Sequence, residues 1–310
     1  MSSLALEVRG ITKIFGKTKA VDNVSFSVEP GEVCGFLGPN GAGKTTTMRI
    51  ISTLDLPDRG DVFVDGVSVI ERAREVRRRI GFMPDSYGAY SATTVTDYLD
   101  FFARAHGLRG KERSSTIAGV MDFTALHSMQ DKHIDALSKG MKQRLCLAKT
   151  LLHDPKLLIL DEPAAGLDPR ARVELRELVL ALADTGKAVL LSSHILTELD
   201  ELCDSVVVIE AGSLQATGRV DQMVSEARAE MVLRVLGDQE QALRAVAEMP
   251  HVSDTKLVKG AIAFGFSAGE EQRAELLVAL IELGLKPVDF SARTTNLEDV
   301  FLSVTKGTVQ

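Results

Sequence analysis

Eight consecutive residues constrain what this chain can fold into more than any other feature of its sequence. An apolar run, Val33–Leu37, leads into a glycine-rich stretch, and a helical pattern follows at Thr46–Leu54. The eight residues fit the P-loop pattern: Gly38, Pro39, Asn40, Gly41, Ala42, Gly43, Lys44 and Thr45. Backbone N–H groups of such a loop converge on phosphates, and the N-terminus of the following helix adds its positive dipole. The pattern therefore predicts a strand, a phosphate-binding loop and a helix.

Lys44 and Thr45 carry the chemistry expected of this loop. The Lys44 ammonium is expected to reach the β- and γ-phosphates of ATP, and the Thr45 hydroxyl is a suitable ligand for Mg²⁺. Thr46, at the start of the helical pattern, belongs to the predicted nucleotide site. The alternative is a glycine-rich turn that binds no nucleotide, and the strand–loop–helix context argues against it.

A second apolar run ends in two carboxylates. Leu157–Leu160 has the continuous apolar pattern of a strand buried on both faces, and Asp161 and Glu162 follow it directly. Beside a P-loop, Asp161 is predicted to hold Mg²⁺, and Glu162 is predicted to polarise the water that attacks the γ-phosphate. The alternative for two adjacent acids at a strand end is a helix cap.

Composition and charge exclude several other classes. The 310 residues carry a formal net charge of -7, and no basic tail stands out, so a nucleic-acid partner is not expected. The dense basic run between Arg72 and Arg79 has a solvated helix face as its ordinary interpretation. No apolar run reaches the length of a membrane span, about 18 residues, so a membrane role requires a partner chain. Three dispersed cysteines predict neither a disulfide framework nor a metal site.

The order of the patterns predicts two domains. The apolar runs Leu157–Leu160 and Ala188–Leu191 are separated by helical periodicity at Ala171–Ala183, which predicts an α/β core with a parallel sheet. A helical insertion is predicted at about residues 86–154, so residues 1–217 form one α/β domain. Residues 218–310 contain a βαββαβ pattern, which predicts a small α+β domain of the ferredoxin-like kind.

Several motifs in order resemble one family. Leu137-Ser-Lys-Gly-Met141 stands before a helix and resembles the signature loop of ABC ATPases. The other motifs of that family follow its order along the chain: Phe15, the P-loop, the signature loop, Asp161-Glu162, Ala165-Gly-Leu-Asp168 and Ser193-His194. From residue 4 to about 217 the chain thus resembles the P-loop cassette of an ABC transporter ATP-binding subunit. This resemblance implies ATP and Mg²⁺ as cofactors and ATP hydrolysis as the activity.

The resemblance also implies a head-to-tail homodimer with two ATP molecules at its interface. Ser138 and the Gly140 N–H of one cassette would bind the γ-phosphate held by the P-loop of the other. His194 would contact the γ-phosphate and orient the catalytic water; the alternative is a packed or exposed histidine. Phe15 would stack on adenine; the alternative is an aromatic residue of the core.

The chain departs from the family pattern in two places. The signature usually reads Ser-Gly-Gly-Gln, and here Lys139 and Met141 replace the second and last residues. Lys139 either adds positive charge near ATP or faces solvent, and we expect the solvent. Asp85 stands where the family usually has a glutamine that touches Mg²⁺ or the lytic water, so Asp85 is a candidate metal ligand that would also repel the γ-phosphate.

All three tyrosines follow Asp85 closely, in the region that receives a short helix of the membrane subunit in this family. For Tyr87 and Tyr90, in a predicted loop, an interface is the favoured interpretation. Tyr98 is spaced three and four residues from Phe101 and Phe102, so internal packing is favoured for it.

The tail resembles the C-terminal extension of ATPase subunits of bacterial exporters of drugs, antibiotics and polysaccharides, because it ends in Thr295-Asn-Leu-Glu-Asp-Val-Phe301. Together these resemblances imply the ATPase subunit of an exporter, held at the cytoplasmic face of the membrane by a separate integral membrane permease. The alternatives are a soluble ABC ATPase outside transport and an ATP switch that scarcely hydrolyses its ligand.

Overall fold

A computed structural model gives the fold of residues 4–85, 92–193, 195–226, 230–258, 260–293 and 297–305. The chain divides into two units, the first running to Val220 and the second comprising Asp221–Ser303. Each unit has its own sheet structure and its own buried apolar core, so each is described by itself.

The first unit alternates strands and helices along most of its length. Its strands are β1 (Leu6–Phe15), β2 (Thr18–Val28), β3 (Val33–Leu37), β4 (Arg59–Val64), β5 (Val67–Ser68), β6 (Ile80–Met83), β7 (Leu157–Leu160), β8 (Ala188–Ser192), β9 (Ser205–Glu210) and β10 (Ser213–Arg219). Its helices are α1 (Lys44–Ile51), α2 (Ala73–Val76), α3 (Val95–Ala105), α4 (Gly110–Phe123), α5 (Lys139–Leu151), α6 (Pro169–Asp184) and α7 (Leu196–Leu202). Helix α8 (Val220–Glu226) crosses the boundary between the units.

A six-stranded sheet forms the centre of the first unit, with the strand order β10-β9-β3-β8-β7-β6. Every neighbouring pair is parallel except β10 with β9. Strands β3, β7 and β8 are buried along their whole length, as expected of parallel strands that are covered on both faces. The parallel α/β core predicted from the continuous apolar runs is confirmed.

A second sheet of the first unit, which the sequence patterns did not predict as a separate layer, is antiparallel. Its order is β2-β1-β4-β5. Strand β2 ends at Val28 and pairs in this sheet, whereas the next strand, β3, lies in the central one. Apolar residues of both sheets share one core, in which the rings of Phe26 and Phe36 lie 5.4 Å apart. Burying such a side chain stabilises the fold by about 1.5–3 kcal/mol.

Helices α3, α4 and α5 lie between β6 and β7 in the sequence, in the region of the predicted helical insertion. The Thr94 hydroxyl caps α3 by accepting a hydrogen bond from the Asp97 N–H at 3.1 Å, and it donates to the Asp97 carboxylate at 2.6 Å. Two short 3-10 helices, His127–Met129 and Ile134–Ala136, lead from α4 to α5. A capped start and an apolar inner face therefore fix this segment as helix.

The second unit is a four-stranded antiparallel sheet with the order β12-β13-β11-β14. Its elements are β11 (Glu230–Leu236), α9 (Gln239–Ala247), β12 (Val252–Val258), β13 (Ala261–Phe266), α10 (Glu270–Glu282), β14 (Lys286–Arg293) and α11 (Leu297–Val304). Numbered from the first strand of the unit, this order is 2-3-1-4 with neighbours antiparallel, which is the split βαβ arrangement called ferredoxin-like.

In the part of the chain that the structure describes, none of the helices has the combination of length and apolar character needed to cross a membrane.

Candidate functional site

The glycine-rich loop between β3 and α1 has a backbone that glycine alone suits. Gly43 precedes α1 with φ at 101°, a left-handed conformation, and a Cβ added there would collide with the carbonyl oxygen of Ala20. A Cβ on Gly38 would collide with the carbonyl oxygen of Ile209. Because β3 leads into this loop and α1 leaves it, the N-terminus of α1 faces the loop with its positive dipole. The local structure therefore has the parts of a phosphate cradle.

Lys44, the first residue of α1, is buried to an unusual degree for lysine, with 8% of it exposed. Its ammonium donates to the carbonyl oxygens of Gly38 at 2.6 Å and Pro39 at 3.2 Å. Burial lowers the pKa of this ammonium, and the charges of Glu162 and Asp161 oppose the lowering. The Lys44 ammonium therefore lies at the loop and within the field of both carboxylates.

The Asp161 carboxylate, just after β7, joins the P-loop helix to β8. The Thr45 hydroxyl donates to Asp161 Oδ2 at 3.1 Å. Ser192 Oγ, at the end of β8, donates to Asp161 Oδ1 at 2.7 Å and accepts from the Glu162 N–H at 2.8 Å. Asp161 is 3% exposed, so its carboxylate is buried with hydrogen bonds to both oxygens. The hydroxyl of Thr45 and the carboxylate of Asp161 form the hard oxygen donor set that Mg²⁺ prefers.

Most of the predicted P-loop residues, with the predicted metal and carboxylate residues, line one cleft of about 280 Å³, whereas Gly38, Pro39 and Ala42 are not part of its lining. The lining residues are Ala20, Asn40, Gly41, Gly43, Lys44, Thr45, Thr46, Asp85, Asp161 and Glu162. The structure thus brings Asp85 together with the candidate Mg²⁺ ligands Thr45 and Asp161, although β6, β7 and α1 supply them separately. A cleft that places one ammonium near three carboxyl groups has the charges needed to hold a phosphate and a metal ion.

The signature loop lies at the start of α5. Ser138 caps that helix by accepting a hydrogen bond from the Met141 N–H at 3.3 Å. Neither Ser138 nor Gly140 is among the described residues that line the P-loop cleft. Lys139 is exposed, in keeping with the expected contact with solvent, and its ammonium also lies over Gly166. The signature residues therefore form a separate surface at a helix N-terminus.

Phe15 ends β1 with half of its surface exposed. The Lys13 ammonium lies 5.3 Å from the centre of its ring. An exposed ring does not serve the core, which was the alternative for this residue, so Phe15 is free of packing constraints that would prevent stacking on a base.

Three of the predicted functional residues, His194, Tyr87 and Tyr90, lie outside the described residues. Tyr98 is 4% exposed and its ring centre lies 4.9 Å from that of Phe102, so internal packing holds for this tyrosine.

Two residues that the motifs did not single out make site contacts. One is Ser192, described above. The other is Gln143, which is 2% exposed and donates from Nε2 to the carbonyl oxygen of Pro163 at 2.8 Å, just after Glu162. A polar residue at the end of the apolar run Ala188–Leu191 was the available sequence signal for Ser192.

A phosphate loop at the end of β3, with a buried aspartate and a glutamate at the end of the parallel strand β7, defines a nucleotide-binding protein of the P-loop ATPase class. Comparison with known proteins is more specific. The sequence model of the family described as "ABC transporter" matches residues 21–165. The chain is 38% identical to Nod factor export ATP-binding protein I of Rhizobium meliloti (strain 1021) over 304 residues, which is 98% of this chain and 88% of the relative.

Solved structures agree with this. The ATP-binding subunit of an ABC transporter is similar with a TM-score of 0.65 and 31% identity, over 72% of this chain and 92% of the other. CbiO1 of Clostridium perfringens, part of the ABC transporter complex CbiONQ, has a TM-score of 0.67 and 25% identity, over 80% of this chain and 96% of the other. The chain belongs to the ABC transporter family as one of its ATP-binding subunits, and it is an ATPase.

Proposed function

We propose that this chain powers an exporter by hydrolysing Mg²⁺-ATP in the cleft between the P-loop and the end of β7. The observation that carries the proposal is the meeting of Lys44, Thr45, Asp161 and Glu162 in one cleft. In this proposal residues 1–217 are the ATPase cassette, with a helical part at about 86–154, and residues 218–310 are an accessory domain.

The predicted site residues have distinct tasks in the proposed reaction. The backbone N–H groups of the P-loop, to which Pro39 contributes none, and the Lys44 ammonium bind the β- and γ-phosphates. Thr45 and Asp161 would hold Mg²⁺, which would neutralise part of the phosphate charge. Glu162 orients the attacking water, and His194 contacts the γ-phosphate. Phe15 stacks on adenine, which fits its exposed ring.

Asp85 is proposed as a further ligand of the Mg²⁺ shell and as the link between the cleft and the helical part. It lines the cleft and lies two residues after the last residue of β6. A carboxylate in place of the amide binds a cation more strongly and repels the γ-phosphate, so its net effect on turnover depends on the metal.

The proposed working form is a head-to-tail homodimer. The position of Ser138 and Gly140 away from the P-loop cleft of the same chain supports this, because a helix N-terminus suited to phosphate then remains for the partner's ATP. The proposed partner is a separate membrane permease, which would hold the dimer at the cytoplasmic face. Support comes from the relative named as an export protein, which aligns with almost the whole chain, and from the CbiONQ complex of the structural neighbour.

The variant Glu162→Gln tests this function. It removes the negative charge that orients water while keeping size and hydrogen bonding, so ATP should still bind and turnover should fall by about 100-fold or more. With ATP present, the variant should co-purify from detergent-solubilised membranes with a polytopic membrane protein. Ribosomal or DNA-repair proteins in its place would support a soluble ABC ATPase, and a wild-type protein that binds ATP without turnover would support a switch.

A further inference from the structure

Ser192 occupies a central position that no motif of the sequence assigns to it. It is the last residue of β8 and is fully buried. Strand β8 lies between β3, which leads into the P-loop, and β7, which leads into Asp161 and Glu162. One hydroxyl at the end of β8 therefore lies between the two halves of the ATP site.

The Ser192 hydroxyl makes two hydrogen bonds, one as a donor and one as an acceptor, to two different groups. It donates to Asp161 Oδ1 at 2.7 Å and accepts from the Glu162 N–H at 2.8 Å. A serine hydroxyl has a single proton to donate, so this arrangement fixes the direction of that proton. The other oxygen of Asp161 is held by the Thr45 hydroxyl at 3.1 Å, and the Asp161 N–H donates to the carbonyl oxygen of Met83 at 2.8 Å. The carboxylate thus has a fixed rotation.

Glu162 needs such support because of its backbone. Its φ is 49°, in the left-handed region that residues other than glycine rarely adopt. Conformations of this kind persist where the surrounding contacts hold them. The hydrogen bond from the Glu162 N–H to Ser192 is one such contact, and the turn bond from the Ala165 N–H to the Glu162 carbonyl oxygen at 3.1 Å is another.

We propose that Ser192 is a positioning residue for ATP hydrolysis, which orients the Asp161 carboxylate toward the metal site and holds the Glu162 backbone at the angle that directs its side chain. The inference rests on the roles proposed above for Asp161 and Glu162. Ser192 acts through these two residues and needs no contact with ATP.

The experiment compares Ser192→Ala with Ser192→Thr and with Ser52→Ala. Threonine keeps the hydroxyl, and Ser192 is among the residues that line a cavity of about 220 Å³. Ser52 is also buried, and its Oγ has no hydrogen-bond partner among the described residues, so its removal controls for the loss of a buried serine hydroxyl. Ser192→Cys, which keeps the volume with a weak hydrogen-bonding group, is the second test if the alanine variant does not fold.

Four quantities are measured on the full chain: kcat, KM for ATP, binding of a fluorescent ATP analogue without metal, and Mn²⁺ affinity by electron paramagnetic resonance in the presence of a non-hydrolysable ATP analogue. In Ser192→Ala, kcat and Mn²⁺ affinity should each fall by about 10- to 100-fold, the usual effect of losing a group that orients a metal ligand. Metal-free nucleotide binding should stay within about twofold, since Lys44 and the P-loop N–H groups are unchanged. Ser192→Thr and Ser52→Ala should resemble the wild type.

The inference is overturned if Ser192→Ala keeps kcat and Mn²⁺ affinity within about twofold of the wild type, or if metal-free binding falls as much as kcat. It is also overturned if Ser192→Thr is as impaired as Ser192→Ala. Glu162→Gln, measured in parallel, separates the two claims. An inactive Glu162→Gln beside an active Ser192→Ala leaves the proposed function standing and removes the role of Ser192. An active Glu162→Gln removes the role of Glu162 and the part of the inference that acts through it, whereas a wild-type chain without ATP turnover removes the proposed function.

Discussion

Lys44 and Phe15 depart in opposite directions from the burial that is usual for their residue types. Lys44 is almost fully buried, and Phe15 has half of its surface in solvent. Within a monomer neither placement improves stability, because a charge loses hydration and an apolar ring keeps contact with water. Both placements suit a nucleotide, which brings phosphates to the ammonium and a flat base to the ring.

Replacing Phe15 tests its share of the nucleotide affinity. Phe15→Ala should raise the Kd for ATP by about 5- to 100-fold, because stacking of a base on an aromatic ring contributes about 1–3 kcal/mol. Phe15→Tyr should bind like the wild type. The measurement is a titration with ATP, followed by thermal unfolding of each variant. A half-exposed ring adds little to stability, so an alanine variant with unchanged affinity and a lowered Tm would show that Phe15 serves the fold instead.

Sequence motifs were sufficient to predict the residues whose role follows from local spacing. Lys44 and Thr45 follow one glycine-rich loop, and Asp161 and Glu162 follow one strand. The proximity of the two residues within each pair therefore needs only local geometry. Thr45 and Asp161 are 116 residues apart, yet each belongs to a recurrent motif that predicted it. Ser192 belongs to no such motif, and its contact with Asp161 depends on which strands are neighbours. His194 stays a prediction.

At the scale of elements, two stacked histidines connect the ends of α3 and α5. The His106 and His153 rings lie 4.2 Å apart and nearly parallel, and His153 Nε2 is 2.8 Å from the carbonyl oxygen of Ile80 at the start of β6. Burial lowers the pKa of both imidazoles. The neighbouring His153 and Lys149 lower that of His106 further, whereas the bond to Ile80 raises that of His153. The stacked arrangement of His106 and His153 therefore favours the neutral imidazoles over the protonated ones.

This contact predicts a loss of stability in mild acid. Because the folded-state pKa lies below the ordinary value of about 6.5, the unfolded chain binds more protons below that pH, and the folded state loses stability as the pH falls toward the folded-state pKa. His153→Gln, which retains a donor for Ile80, should make the drop in Tm between pH 8 and pH 6 smaller by about 1–2 °C, after allowance for solvent screening of half-exposed rings.

His127→Gln serves as the control for this series, because the side chain of His127 is 57% exposed. Thermal unfolding at both pH values in one buffer system gives the comparison. If His127→Gln reduced the pH dependence as much as His153→Gln, the stacked pair would not be its source.

Strands whose residues are all buried were predicted correctly from the sequence. Strands that pair with a segment far away in the sequence were not predicted to form a sheet. The continuous apolar runs of β7 and β8 indicated buried parallel strands. The sheet of β1, β2, β4 and β5 was not predicted, because its pairings include register shifts and because β1 pairs with β4 across more than 40 residues, as in Leu6 with Val64. Helix α1 ends at Ile51, short of the predicted Leu54, where Thr53 adopts a positive φ.

At the scale of the whole molecule, the two units have separate hydrophobic cores. We therefore expect a core substitution in one unit to destabilise that unit and to leave the other unchanged. The second unit packs α9 and α10 on its sheet around residues such as Phe264 and Leu280, both fully buried. Phe264→Ala should destabilise that unit by about 3–5 kcal/mol. The ATP site belongs to the first unit, so the Kd for ATP should change by less than about twofold.

Limited proteolysis and an ATP titration of the same preparation measure the two effects. Cleavage should become faster within residues 221–303, and the control Val278→Ala, on an exposed position of α10, should behave as the wild type. A loss of nucleotide affinity in Phe264→Ala would show that the first unit depends on the second.

The central position of β8 also limits where residues can be inserted into or deleted from this chain without disturbing the ATP site. Phe36 of β3 pairs with Ser192, and Leu160 of β7 pairs with Leu191, so the number of residues from Ala188 to Ser192 determines which side chain meets the Asp161 carboxylate and the Glu162 N–H. One inserted or deleted residue inside this strand would exchange its buried faces and withdraw the hydroxyl. Thr185 and Gly186, in the exposed turn just before the strand, are where we expect a tag or a spacer to be tolerated.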